Sequence, residues 1–442
     1  MFMKMTVIGT GYLGATHAAC MAELGHEVCG VDVDESKIAA LASGQVPFFE
    51  PGLPEILTRT VSSGRLSFTT SYEEAADFAH VHFLGVGTPQ MHGSYAADLT
   101  YVHAAIDTLV PLLRGAHIIF GKSTVPVGTA ADLQARADRL APEGTHVEIV
   151  WNPEFLREGF AVTDTISPDR IVLGTASPDS PAIDVAREIY AQPLSQGTPL
   201  IVTNLPTAEL VKVSANSFLA TKISFINAVS EICEVTGADV VKLAEAIGYD
   251  DRIGKKFLRA GLGFGGGCLP KDIRAFMARA GELGASEALS FLREVDSINM
   301  RRREHVVELS KLLCDGSLLG KNITVLGAAF KPNSDDVRDS PALSVAGSLS
   351  LKGANVTVYD PEAMDNAARV FPTLDYAQNV NDALSGADLT ILATEWDEFR
   401  QLDPEKAGDL VNRRVMLDAR NVLSTSDWSE KGWQVKALGC GE

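Results

Sequence analysis

Residues 3–32 constrain the fold of this chain more than any other stretch. Met5-Thr6-Val7-Ile8 is a short apolar strand, and Gly9-Thr10-Gly11-Tyr12-Leu13-Gly14 follows it with glycines in the G-x-G-x-x-G spacing. A helical pattern through Ala18, Ala19, Met21 and Leu24 comes next. Gly25 ends it, and Glu27 to Val31 forms a second strand closing on Asp32. Gly9 makes the tight turn, Gly11 lets a pyrophosphate touch backbone, and Gly14 lets the helix pack on the strand. Tyr12 and Leu13, between the second and third glycines at the helix start, are cofactor-binding candidates with them. Asp32 stands where an acid binds a ribose and repels a 2′-phosphate, so the site is expected to prefer NAD to NADP. Lys37, just past the second strand, is placed to reach the same ribose or to serve as a surface lysine.

With 442 residues, the chain is long enough for two or three domains, and a composition of 46% hydrophobic and 21% charged residues is ordinary for a globular protein. The formal charge of −19 argues against nucleic acid or an anionic membrane surface as the main partner. Any bound phosphate must then be met by a local basic cluster or by helix N-termini. Cysteines 20, 29, 233, 268, 314 and 440 show neither a disulfide framework nor metal spacing, and are expected as reduced thiols of a cytoplasmic protein. The start methionine leads directly into a strand pattern, so no secretion signal is expected. No apolar run is long enough to span a bilayer. His80 and His82 share one strand face, as an edge or core pair or as a metal pair; no metal is assigned.

Further strands are expected at Val81–Val86, His117–Phe120 and Val147–Trp151, each followed by polar residues. Ligands of open α/β sheets bind beyond the C-terminal ends of strands. Thr88, Thr124 and Glu154 are therefore candidates by position, with turn and capping chemistry as the alternative. The longest helical pattern runs from Thr207 to about Val235. On it Lys212 and Asn216, four apart, share a face suited to donating hydrogen bonds to an oxyanion or simply to meeting solvent. Arg252, Lys255, Lys256 and Arg259 form the local basic cluster that a phosphate ligand needs. They run into GLGFGGGCLPKD at 261–272, where five glycines in seven residues precede Cys268. Such a loop either presents a nucleophilic thiol at close range, helped by Lys271, or carries a structural cysteine. A helical segment from Asp272 to about Leu313 then leads to strands at Lys321–Leu326, Val356–Tyr359, Leu389–Leu392 and Arg414–Leu417. This second α/β region lacks the full glycine fingerprint and is expected to hold a different nucleotide.

Seven motifs in register make the chain resemble the UDP-glucose/GDP-mannose dehydrogenase family over nearly its whole length. They are GTGYLG at 9–14, VGTP at 86–89, STVPVGT at 123–129, NPEFLREG at 152–159, LVKVSAN at 210–216, GFGGGCLPKD at 263–272 and GAAFKPNSDDVRDSP at 327–341. The resemblance implies an α/β fold with two Rossmann-like doubly wound domains, joined by a long central helix and a helical middle segment. It implies an NAD-binding domain over 1–205, a central domain with the dimerisation helix and reactive cysteine over 206–313, and a UDP-sugar-binding domain over 314–442. It implies NAD-dependent four-electron oxidation of a sugar C6 alcohol to the acid, a UDP-sugar partner, and a homodimer or larger assembly. Cys268 resembles the family's nucleophile, and Lys212 and Asn216 the pair that stabilises the C6 oxyanion. Asp272 and Thr124 resemble groups that position the catalytic water, and Glu154 the carboxylate that assists thioester hydrolysis. Phe155, Leu156, Arg157 and Glu158 resemble the loop along the sugar. Phe257, Leu258, Arg259, Ala260, Gly261 and Gly265 resemble the nucleotide-sugar loop. Lys331 and Arg420 match contacts to the UDP part, and Arg252 matches an arginine that reaches a neighbouring subunit's substrate. Lys271 and Arg338 match cofactor contacts, with Thr88 and Glu158 on the same side. Gly267 departs from the serine common before the cysteine, and Arg259 from the lysine of some members. SPDRIVLG at 167–174 looks most like the UDP-glucose branch; GDP-mannose or a UDP-N-acetylhexosamine stays open. A silent sugar-nucleotide binder is opposed by Cys268, Lys212, Asn216 and Asp272 all being present.

Overall fold

Short strands built of apolar residues without a polar face are buried on both sides, which is the signature of a parallel sheet covered by helices. A computed structural model describing residues 2–441 shows two such sheets, one in each of two units. The first unit runs to Ala215 and takes in Arg274–Gly284; the second holds Asn216–Ile273 and the chain from Ala285 onward.

The first sheet contains β1 (Lys4–Ile8), β2 (Glu27–Val31), β3 (Leu66–Thr69), β4 (Val81–Leu84), β5 (Ala116–Gly121), β6 (His146–Trp151), β7 (Ile171–Thr175) and β8 (Leu200–Asn204). Their order in space is β3-β2-β1-β4-β5-β6-β7-β8. All neighbours are parallel except β6 and β7, which meet through one antiparallel pair, Trp151 with Gly174. The order reverses between β1 and β4, and a crevice at such a switch point is where doubly wound folds take their ligands. Two apolar clusters cover the faces, one around Met5, Val7, Phe83 and Phe120, the other around Ile8, Leu84, Ile119 and Trp151.

The second sheet contains β9 (Asn322–Leu326), β10 (Asn355–Tyr359), β11 (Asp375–Tyr376), β12 (Leu389–Leu392), β13 (Val415–Asp418) and β14 (Gln434–Ala437). Their order is β11-β10-β9-β12-β13-β14, all parallel. The expected α/β class with two Rossmann-like sheets and a long helix is thus the observed one. That helix, Leu205–Thr236, is continuous for 32 residues and begins two residues earlier than the pattern indicated.

One helical expectation is corrected. The segment from Asp272 to Leu313 is not continuous: helix Leu269–Glu282 stops, a 3₁₀ turn covers Ser286–Leu289, and a second helix spans Ser290–Leu313. Gly284 sits between them at φ +75°, a conformation that ends a helix and that only glycine adopts cheaply. The first of these helices starts immediately after Cys268.

Candidate active site

The nucleotide cradle of the first unit follows from its glycines. A first side-chain carbon at Gly14 would lie 1.7 Å from the Gly9 carbonyl oxygen, so helix Tyr12–Glu23 packs on the turn only because position 14 has none. At Gly11 no atom lies within 4 Å of that position, which leaves the helix N-terminus open to a phosphate. At the end of β2, Asp32 accepts from Thr10 N at 2.8 Å, Thr10 Oγ1 at 3.1 Å and Lys37 Nζ at 2.9 Å. Burial pushes this carboxyl up, but Lys37 and the backbone donors outweigh it and hold the group below its usual range. Asp32 is therefore an anion, able to accept from ribose hydroxyls and to repel a 2′-phosphate. These residues fit NAD. The Thr88 hydroxyl donates to the Thr124 carbonyl at 2.8 Å and ties the loop after β4 to the loop after β5.

Glu50 had no motif to reveal it, yet it organises the same edge. Its buried carboxylate accepts from Gly159 N at 2.6 Å, Ala161 N at 2.7 Å and the Tyr12 hydroxyl. Tyr12 is the first residue of the cradle helix, so one carboxylate joins that helix to the 154–161 loop. Burial and Glu50, with Glu158 nearby, push the Tyr12 hydroxyl far up, keeping it a donor.

Glu154 lies three residues past the end of β6. Its carboxylate accepts from Leu156 N at 2.5 Å and pairs with Lys212 at 3.0 Å. Lys212 is buried, so the pair is shielded from solvent. Phe155 packs under the Arg170 guanidinium, 3.7 Å from the ring centroid. Arg157 is turned outward onto Asp164 through a two-pronged contact. His82 is a core residue: its ring bridges Thr6 Oγ1 at 2.7 Å and His117 Nδ1 at 3.0 Å. Among the described residues no group of three or more His, Cys, Asp or Glu is placed to hold a metal ion.

In the second unit, the glycine run is a packed strap. A side chain at Gly261 would meet the Ala419 carbonyl oxygen at 2.7 Å, and one at Gly265 the Asp339 carbonyl oxygen at 2.3 Å. Gly263 and Gly266 are closed off by Asn299 and Phe330. Asn299 also donates to and accepts from the Phe264 backbone, and Asn227 accepts from Gly261 N at 2.8 Å. The loop is glycine-rich for two reasons at once: it is threaded through a tight slot, and Gly263 and Gly266 stand at φ +94° and +86°.

The strap delivers Cys268 to a helix start. The Cys268 carbonyl accepts from Asp272 N at 2.8 Å, which makes Cys268 the cap of helix Leu269–Glu282. The residue is exposed, and the open N–H groups of the first turn favour an anion there. Asp272, buried in that turn, accepts from Asn216 Nδ2 at 2.6 Å and pairs with Lys271 at 2.9 Å. Asn216 follows Lys212 by one turn of the long helix. Arg338 lays its guanidinium against Gly267 and pairs with Asp336 at 2.6 Å.

An open cavity is lined by Ile223, Phe257, Arg259, Gly261, Gly263 and Arg420, with Glu395 paired to both arginines. Arg420 is held by the Ala393 and Gly263 carbonyls at 2.7 and 2.8 Å. Burial lowers its pKa while Glu395 opposes that, and its second Nη is buried without a partner. A buried guanidinium with an unused donor is an anion receptor. The basic cluster read from sequence does not act as one patch. Arg259 faces the cavity, Lys255 sits on the Tyr249 ring at 3.6 Å, and Arg252 turns outward onto Asp250. Lys331 lies 5.3 Å from the Phe330 ring centroid. Leu258 and Ala260 are buried and shape the loop rather than present polar groups.

Three models of the UDP-glucose/GDP-mannose dehydrogenase family match the chain: its NAD binding domain over residues 3–194, its central domain over 206–301 and its UDP binding domain over 324–425. The chain is 41% identical over 437 residues to a UDP-glucose 6-dehydrogenase of Rhizobium meliloti (strain 1021), covering 99% of both. It is 41% identical over 437 residues to UDP-glucose 6-dehydrogenase TuaD of Bacillus subtilis (strain 168), covering 99% of this chain and 93% of that one. Its fold matches a UDP-glucose dehydrogenase from the hyperthermophilic archaeon Pyrobaculum islandicum with a TM-score of 0.91 and 38% identity, over 100% of this chain and 98% of that one.

Proposed function

Since this chain belongs to the UDP-glucose/GDP-mannose dehydrogenase family, we propose that it oxidises UDP-glucose at C6 to UDP-glucuronate through a covalent intermediate on Cys268. The observation that carries this reading is the glycine strap, which lines the Arg259–Arg420 cavity and runs on into a thiol at a helix N-terminus. The arginines suit the pyrophosphate of a UDP-sugar, and the strap sets the distance from that anchor to the sulfur. NAD⁺, when bound, accepts a hydride from C6 in each of two oxidations. Asp272 takes the proton of the C6 hydroxyl and passes it to solvent, while Lys212, paired with Glu154, and Asn216 stabilise the alkoxide that forms. The Cys268 thiolate adds to the aldehyde carbon, and its oxygen takes a proton to give a thiohemiacetal. The second oxidation makes a thioester. Water, positioned by Asp272 and Thr124 and relieved of a proton by Glu154, then breaks the C–S bond and returns the thiol. Two NAD⁺ are consumed per sugar. Six cysteines outside any disulfide fit a reducing cytoplasm.

A panel of UDP-glucose, GDP-mannose and UDP-N-acetylhexosamines, followed by NADH absorbance, tests the substrate. UDP-glucose is expected to give the highest kcat/KM, with two NADH per sugar and no free aldehyde. Faster turnover of another sugar nucleotide, or one NADH per sugar, overturns the assignment.

We also propose a dimer or larger assembly built on the long helix. Phe218, Phe225 and Ile232 recur every seven residues on that helix and are 66%, 54% and 61% exposed. An apolar stripe of this kind is expected to be covered by a second copy. Sedimentation should give a dimer or larger, and Phe225→Glu should shift it toward monomer; an active monomeric parent rules the assembly out.

A further inference from the structure

Beneath the end of β6 lies a buried cation that the mechanism above does not use. Lys122 follows β5 directly and is 7% exposed. Its ammonium donates to Asn152 Oδ1 at 2.9 Å and to the Tyr190 hydroxyl at 3.3 Å, and Tyr190 donates to the same Asn152 oxygen at 2.6 Å. Asn152 in turn donates to the Val172 carbonyl on β7 at 2.8 Å, and its own N–H bonds Gly121 at the end of β5. The residue two places after Asn152 is Glu154. We propose that Lys122 is a positioning residue for Glu154. Through Asn152 it pins the turn that carries the carboxylate between β5 and β7, and it places a positive charge behind that turn.

Three observations support this. First, an ammonium is an expensive way to fill a core site, because burying a charge is costly unless it is well partnered. Neither of its two hydrogen-bond partners is an anion, so packing alone does not explain it. Second, Lys122, Asn152, Glu154 and Tyr190 all line one open cleft, so the cation borders the same space as the carboxylate. Third, burial pulls the Lys122 ammonium down to about 8, with Glu154 the group that opposes the fall. Other titratable groups facing this space are His17 on helix Tyr12–Glu23, Asp164, Asp169 and Arg170. His17 is itself driven well below its usual range by burial and then by Lys122, and is neutral. Lys212 pairs with Glu154 directly at 3.0 Å.

The inference rests on the reading of Glu154 as the group that takes a proton from the hydrolytic water. The test therefore uses the full-length enzyme with UDP-glucose and NAD⁺ and three variants: E154Q, K122M and K122R. The thioester on Cys268 is quantified by mass spectrometry of acid-quenched samples, alongside kcat, KM, pH profile and melting midpoint. E154Q is expected to accumulate thioester. K122M is expected to accumulate it too, with kcat lowered about 10- to 100-fold, the scale known for removing an outer hydrogen-bonding partner of a metal ligand. Both KM values should stay within about twofold of the parent, and the melting midpoint should not fall, because a buried ammonium is gone. The parent should lose hydrolysis rate as pH rises through about 8, where Lys122 gives up its proton, and K122M should lack that limb. K122R keeps the charge and should recover part of the rate and move the limb upward. An E154Q variant without thioester sinks the reading of Glu154. Thioester in E154Q but not in K122M overturns the Lys122 inference alone. So does a K122M defect that appears as a raised KM or a lowered melting midpoint, since that is the mark of a packing role.

Discussion

Cys268→Ala is expected to lose steady turnover to acid by several orders of magnitude, on the order of what removing a covalent nucleophile costs. The thioester cannot form without sulfur, whereas the first oxidation needs only a bound alcohol, an acceptor for its proton and an aligned nicotinamide. Binding should survive, because the strap is fixed by contacts at Gly261, Gly263, Gly265 and Gly266, which the substitution leaves in place. Added sugar aldehyde should not restore acid formation. Cys268→Ser should form any ester slowly, since a hydroxyl is far less ionised than a thiol near neutral pH. NADH per sugar, with mass spectrometry of the bound adduct, checks each statement. Normal two-NADH turnover in the alanine variant makes Cys268 a structural thiol.

Gly265→Ala is expected to be the most damaging small substitution in the strap, and Gly267→Ala, two residues away, nearly silent. At Gly265 the added carbon lands 2.3 Å from the Asp339 carbonyl oxygen and 2.7 Å from Pro341 Cδ. That backbone cannot retreat: Arg303 holds Asp339 at both its carbonyl and its carboxylate, and Gly266 N bonds the Arg338 carbonyl. Overpacking of this kind costs about 1–3 kcal/mol, and a shifted strap also moves the wall of the arginine cavity. At Gly267 the clash is with the guanidinium of Arg338, at 2.3 Å, and the far end of a long side chain swings aside cheaply. Melting midpoints and calorimetric titration with UDP-glucose should show a clear fall in stability and at least tenfold weaker binding for Gly265→Ala, with Gly267→Ala within about 0.5 kcal/mol of the parent. Equal behaviour of the two variants contradicts the packing described for the strap.

The contrast shows where sequence reasoning stops. The run of glycines beside a thiol is visible in sequence, but which of them serve positive φ and which serve close approach is not: Gly263 and Gly266 do both, whereas Gly261 and Gly265 meet a neighbouring backbone carbonyl. Interior strands β1, β2, β4, β5, β6, β9, β10, β12 and β13 are legible because burial on both faces forces runs that are mostly apolar. Strands β3, β8, β11 and β14 escape because they lie at or next to sheet edges. Leu200–Asn204 is largely solvent-facing, and Asp375–Tyr376 is only two residues long. The break after Glu282 passes unnoticed because Gly281 and Gly284 carry a helix end without interrupting the apolar spacing on either side. Lys212 and Asn216 are legible as a pair by their four-residue spacing, but their partners Glu154 and Asp272 lie 58 and 56 residues away in sequence. Glu50 and Lys122 belong to no spacing at all. Each is a buried charge among loops, and its role appears only when the groups it touches are known.

Of the six cysteines, Cys20, Cys29, Cys233 and Cys314 are buried, Cys440 is half-buried, and Cys268 is exposed. A thiolate does not distinguish a sugar aldehyde from an alkylating reagent, because both are electrophiles that it attacks. On the mechanism proposed above, the one exposed cysteine among those described is therefore also the one the chemistry depends on. A limiting dose of maleimide becomes a titrant that counts competent centres, and peroxide becomes a poison that strikes the catalyst before it strikes the core.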